Sequence, residues 1–236
     1  MKKHLKRLPA PRSWKIARQE FVWAYKPRPG PHPAQAAMPL AMVLRDMLRV
    51  AGNAREAETL AFARSVLVDG KVVTDPKFPV GLMDVVTLGP TKENFRVLLD
   101  RRGKLTILPI ESGEAAWKLC RVRGKSTVRG GRFQVQLHDG RTILLPKSEY
   151  ATGTTLKIAL PEQKVLGALP LSEGNIALLT GGQHAGELAH VARVERTRNP
   201  RANVVHFQEG FSTIVDYVFV VGAKTPEIRV PEGQAV

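Results

Sequence analysis

Basic and aromatic side chains alternate through the first 37 residues, and that alternation suits a particular chemistry. Nine lysines and arginines (Lys2, Lys3, Lys6, Arg7, Arg12, Lys15, Arg18, Lys26, Arg28) face one acid, Glu20, so the segment carries +8 of the chain's net +15. Trp14, Phe21, Trp23 and Tyr25 are interleaved with the charges. Cations neutralise phosphates and release their counterions. Aromatic faces stack on unpaired bases. A segment that only solvates itself carries few aromatics. Pro9, Pro11, Pro27, Pro29, Pro31 and Pro33 rule out a long helix. The segment reads as an extended basic arm, ordered only against its partner.

Further cations recur downstream. Arg45, Arg49, Arg55, Arg64 and Lys71 fall within residues 38–88, and Arg121, Arg123, Lys125 and Arg129 crowd around residues 121–131. Gly124-Lys125-Ser126 looks like the end of a phosphate-binding loop. That motif needs an earlier glycine where Leu119 stands, and a helix to follow. Neither is present in the pattern, so a nucleotidase is rejected and a phosphate-contacting patch is kept. Gly181, Gly182 and Gly186, with His184 between them, precede an element that reads as strand, which excludes a dinucleotide fingerprint. They form a tight loop, either a plain hairpin turn or a loop whose backbone approaches RNA or another chain. The six histidines show no metal-ligand spacing, and no nucleophile elbow is found. No catalytic residue, metal or cofactor is assigned.

These residues must be positioned by small elements. Leu40, Val43, Leu44, Met47 and Leu48 recur at helical spacing, with Pro39 in the first turn and Gly52 at the C-terminal end. Asn53 caps a second helix, with Glu56 completing the pair. Val66–Val73 alternates around Asp69-Gly70, a hairpin closed by a type I′ turn. Two short helices and a hairpin make a small α+β unit. Phe95–Asp100 and Lys104–Leu108 flank a three-residue loop. Arg132–His138 and Arg141–Leu145 make a second hairpin at Asp139-Gly140. Close-set strands then run to Val221, followed by a loose tail with Pro226 and Pro231. The expected organisation is a basic arm (1–37), a small α+β domain (38–99), a central β domain partly closed as a barrel (100–172), an SH3-like barrel (173–222) and a tail (223–236).

Composition narrows the partners. A pI near 10.4 makes a polyanion the default ligand. No apolar run reaches the ~18 residues of a membrane span, so no membrane partner is expected. The basic N-terminus lacks the apolar stretch of a secretory signal. One cysteine, Cys120, excludes a disulfide framework and a zinc ribbon, and fits a reducing compartment. Cys120 reads as a small core residue.

Residues 38–88 resemble the αL RNA-binding module, in which two helices present basic side chains and a hairpin flanks the same groove. The matching positions are Arg45, Arg49, Arg55, Arg64 and Lys71. The chain as a whole resembles the archaeal and eukaryotic type of the fourth small-subunit ribosomal protein. Lys2-Lys-His-Leu-Lys-Arg7, Pro27-Arg-Pro-Gly-Pro-His32, Val68-Asp-Gly-Lys-Val72, Gly81-Leu-Met-Asp-Val85, Glu93-Asn-Phe-Arg96, Lys118-Leu-Cys-Arg-Val122 and Thr180-Gly-Gly182 carry that resemblance in order. It implies a KOW-type barrel around Gly181, Gly182, His184 and Gly186. It also implies a structural protein, not an enzyme, that binds small-subunit ribosomal RNA and neighbouring ribosomal proteins as a monomer within the cytoplasmic ribosome. Two alternatives stay open: an RNA-modifying enzyme, since αL domains occur fused to such enzymes, and a substoichiometric assembly or transcription factor using the barrel.

Overall fold

The computed structural model describes residues 4–198 and 202–231, and its fold is α+β and mostly β. Two compact units form. The first comprises Met1–Leu98, Lys104–Lys118 and Leu160–Glu162, and the second Leu99–Gly103, Leu119–Ala159 and Gln163–Val236.

In the first unit the arm folds back on itself: β1 (Leu5–Lys6) pairs antiparallel with β2 (Trp23–Ala24). β3 (Ala37–Pro39) leads into α1 (Leu40–Met42), a π-helical turn over Val43–Met47, and α2 (Ala54–Phe62). Leu40, Val43 and Leu44 are buried, as their spacing requires. The helical stretch stops earlier than Gly52: Arg49 takes the left-handed conformation, φ 55°. Asn53 Oδ1 accepts from the Glu56 N–H at 2.9 Å, and Glu56 reaches back to the Gly52 N–H at 2.7 Å. Six strands follow: β4 (Val66–Val68), β5 (Lys71–Val72), β6 (Pro79–Gly81), β7 (Val85–Leu88), β8 (Glu93–Leu99) and β9 (Leu105–Ile110). One sheet has the order β5-β4-β7-β8-β9, while β6 pairs with β3. Asp69 and Gly70 both have positive φ (52° and 73°), the signature of a type I′ turn. α3 (Ser112–Ala115) is a single turn.

The arm is packed on its own chain, which corrects the expectation that only a partner would order it. Trp14 is 1% exposed. Its Nε1 donates to the Ala37 carbonyl at 2.7 Å, and the adjacent Ser13 carbonyl accepts from the Leu105 N–H at 2.7 Å. Arg7 is fully buried and donates to the Ala17 carbonyl and to Asp46. Tyr25 donates to Glu58 on α2 at 2.8 Å.

The second unit holds two antiparallel sheets. Strands β10 (Trp117–Val128, whose first two residues belong to the first unit), β11 (Arg132–Leu137), β12 (Thr142–Leu145), β13 (Thr155–Ala159) and β14 (Val165–Leu169) form one, ordered β12-β11-β10-β13-β14. Cys120, Val122, Val135, Leu137, Leu156 and Ile158 are its core. At the Asp139-Gly140 turn only Gly140 has positive φ, so the loop is three residues, His138–Gly140, closed by Leu137 N–H to Arg141 carbonyl at 2.9 Å. The other sheet holds β15 (Ile176–Leu179), β16 (Leu188–Glu195), β17 (Val204–Phe207), β18 (Ser212–Ile214) and β19 (Val218–Gly222), ordered β18-β17-β16-β15-β19. Ala177, Leu179, Ala189, Val191, Val205, Phe207 and Val218 fill it. Residues 223–231, the described part of the expected loose tail, are held against the sheets' strands. Ile228 is buried, and Glu227 pairs with Lys157 at 2.8 Å. Among the described residues, no helix is long and apolar enough to cross a membrane.

Candidate nucleic-acid interface

The cations divide by exposure. Lys6, Arg12, Lys15, Arg28, Arg49, Arg55, Arg64 and Lys71 of the first unit are exposed, and so are Arg123, Lys125 and Arg129 of the second. Arg45 and Arg121 are half-buried. Arg7 and Trp14, expected at the nucleic acid, face inward. Arg7 donates to Asp46 and the Ala17 carbonyl, and Trp14 to the Ala37 carbonyl, so both are buried within the chain itself. Lys2 and Lys3 lie outside the described residues.

Some exposed cations already have partners. Arg28 pairs with Asp75 at 2.9 Å, and Lys125 donates to Ser148 at 2.9 Å. Arg121 pairs with Asp216; burial lowers its pKa, opposed by Asp216. Arg121 and Arg123 line a cleft of about 360 Å³ with Thr152, Gly153 and Asn203.

In the first unit, the arm and the π-helical turn enclose a larger cleft of about 760 Å³, lined by Lys15, Phe21, Arg45, Asp46, Arg49 and Ile107 among others. The Arg7 and Arg45 guanidiniums lie over the Phe21 ring, 4.9 and 5.2 Å from its centroid. Arg45 also binds Asp46 at 2.9 Å, so two arginines hold that one carboxylate. Arg49, and Arg64 at the end of α2, both adopt left-handed backbone (φ 55° and 58°), where a Cβ is strained. Burial and the Glu58 hydrogen bond push the Tyr25 hydroxyl up to about 12.

The glycine loop approaches its own chain. A Cβ on Gly186 would lie 2.7 Å from the Asp100 carbonyl carbon, and one on Gly181 would lie 2.8 Å from Tyr217 Cε1. Gly182 is exposed with φ 85°. His184 stacks on Phe211 with centroids 4.1 Å apart and bonds Glu187 at 2.9 Å.

Sequence reasoning missed a buried ionic chain. Lys118 Nζ lies 2.6 Å from Asp69 and 3.0 Å from Asp84, whose other oxygen meets His32 Nε2 at 2.9 Å. Burial pushes the Asp84 carboxyl up, but His32, Lys118 and the Gly81 N–H more than offset that and hold it well below the usual range. The partners lie 34 to 52 residues apart, so no local pattern announces them. Cys120, His138 and Asp139 place one ligand atom each within 4.8 Å of one another. Asp139 already accepts from Arg141 Nε at 3.1 Å and from the Cys120 thiol at 3.6 Å. A guanidinium therefore supplies the positive charge a metal would bring, and the cluster does not suit a cation.

Three family models match the chain in sequence order: the RS4NT domain over residues 1–35, the S4 domain over 38–86, and ribosomal family S4e over 91–165. The small ribosomal subunit protein eS4 of Methanothermobacter thermautotrophicus is 41% identical over 99% of this chain and 98% of its own length. This chain belongs to ribosomal family S4e. The eS4 protein of Methanocaldococcus jannaschii is 42% identical over 97% of each chain. A crystal structure of the 30S ribosomal protein S4e from Thermoplasma acidophilum superposes with a TM-score of 0.72 at 34% identity, covering 80% of this chain and 96% of that one. S4e-family membership accounts for the order arm, α+β unit, β sheets that the structure displays.

Proposed function

We propose that this chain is a structural protein of the small ribosomal subunit, bound to small-subunit ribosomal RNA. The observation that carries the reading is likeness along nearly the whole chain to proteins named small ribosomal subunit protein eS4. The exposed cations Lys15, Arg49, Arg55, Arg64 and Lys71 on one unit support it. They neutralise phosphates and set position, while RNA shape and unstacked bases set specificity. Arg121, Arg123, Lys125 and Arg129 supply phosphate-contacting cations on the second unit. The sheet from β15 to β19 serves as the KOW-type barrel, with Gly182 and His184 at its loop. Neighbouring ribosomal proteins are the protein partners, the chain acts as a monomer in the cytoplasmic ribosome, and no membrane is involved. The substoichiometric factor is not favoured, because the relatives matched end to end carry ribosomal-protein names. Sedimentation of a native lysate after a moderate-salt wash tests this. One copy per small subunit is expected; recovery at the top of the gradient overturns it.

A further inference from the structure

RNA binding as such requires cations on a surface; it does not require a cleft. Yet the arm and the π-helical turn enclose about 760 Å³, within the roughly 300–1,000 Å³ of small-molecule pockets. Lys15 and Arg49 stand at this cleft exposed, and neither bonds a carboxylate among the described residues. Asp46, which also lines it, is held by Arg7 and Arg45, so its charge is met. The walls are mixed, with Phe21, Met47 and Ile107 beside the charges. Phe21 remains 52% exposed although two guanidiniums lie over its ring. Arg49 sits in left-handed backbone at a helix end, where glycine is the unstrained residue. Strain of this kind accumulates at ligand clamps.

A bare phosphate would use the cations and leave the apolar wall without a role. A base without a phosphate would leave the cations without one. We propose that the cleft receives one nucleotide drawn out of the RNA stack, its phosphate between Lys15 and Arg49 and its base against Phe21. Glu20, at the same cleft and largely exposed, accepts from an exocyclic amino group of that base. The inference rests on the RNA-binding reading above and specifies what that face selects: an unpaired nucleotide rather than uniform duplex.

The test uses the full chain and two RNA hairpins of equal length and charge, one with a single bulged 2-aminopurine and one fully paired. The bulged hairpin should bind about tenfold tighter, the share of one stacked base, with a change in 2-aminopurine fluorescence. Arg49→Gly, which relieves the backbone, should remove most of that advantage, as should Phe21→Leu. Arg55→Gln, outside the cleft, should weaken both hairpins alike. Equal affinity for the two hairpins overturns the proposal, and so does an advantage that survives Arg49→Gly. If neither hairpin binds, the RNA-binding reading itself fails and takes the cleft with it.

Discussion

Lys118 Nζ lies 2.6 Å from Asp69 Oδ2, both side chains at or near full burial in the first unit. The same ammonium reaches Asp84 at 3.0 Å, so one cation answers two buried carboxylates. Removing it takes the closest cation from Asp69 and leaves Asp84 to His32 and the Gly81 N–H. Breaking a buried pair from one side costs about 3–5 kcal/mol, far more than deleting a surface pair. Lys118→Met keeps the stem and deletes the charge. It should lower the unfolding free energy read from urea melts by about that amount, while Lys157→Met, at a part-exposed pair with Glu227, should shift it little.

The acid limb of stability follows from Asp84. Its folded-state pKa is depressed, so it contributes stability above the unfolded carboxylate range and loses it as pH falls. The unfolded group protonates near pH 4. Stability should therefore decline below about pH 4 as the unfolded state takes up a proton that the folded state refuses. Asp84→Asn should be less stable at neutral pH and show a flatter slope below that point. An unchanged slope in the variant would remove Asp84 from the account.

Gly81 leaves room for the His32 ring. A Cβ there would sit 2.6 Å from the imidazole Cδ2 and 2.7 Å from Nδ1. Gly81→Ala should cost about 1–3 kcal/mol, as overpacking does, and should free the end of the arm to protease. Thermal melts and limited proteolysis read the two effects separately.

Much of the local structure could be read from residue order. Asp69-Gly70 is a type I′ turn because both residues tolerate positive φ, and Asn53 with Glu56 caps α2 because their groups lie three residues apart. What could not be read was long-range pairing. Arg7 and Trp14 carry the same basic and aromatic pattern as their exposed neighbours. Partners distant in sequence, Asp46 39 residues on and Ala37 23 residues on, help turn them inward. Gly52 looked like the helix end, but Arg49 accepts the strained position three residues earlier. The cleft beside it is formed by segments as far apart as Lys15 and Ile107, so its residues share no motif.

The two classes of arginine should separate in a salt titration. Arg55→Gln and Arg64→Gln remove exposed cations, and each phosphate left without its cation should flatten the log–log salt slope by about 0.7–0.9. Arg7→Gln removes a buried one. It should lower the melting temperature with little change in slope once the protein is folded. A slope change for Arg7→Gln as large as for Arg55→Gln would put Arg7 at the RNA after all.

The seat of Trp14 sets an order of events on the synthesising ribosome. The indole is among the first aromatic side chains made, but its slot needs Ala37 and then Leu105. The buried ionic chain waits longer still, for Lys118. Chains emerge at about 5–20 residues per second, so the arm spends several seconds with its tryptophan and nearby arginines unclaimed. During that interval the most cationic part of the protein is open to whatever polyanion is nearest, which makes early escort or rapid RNA capture an advantage for this fold.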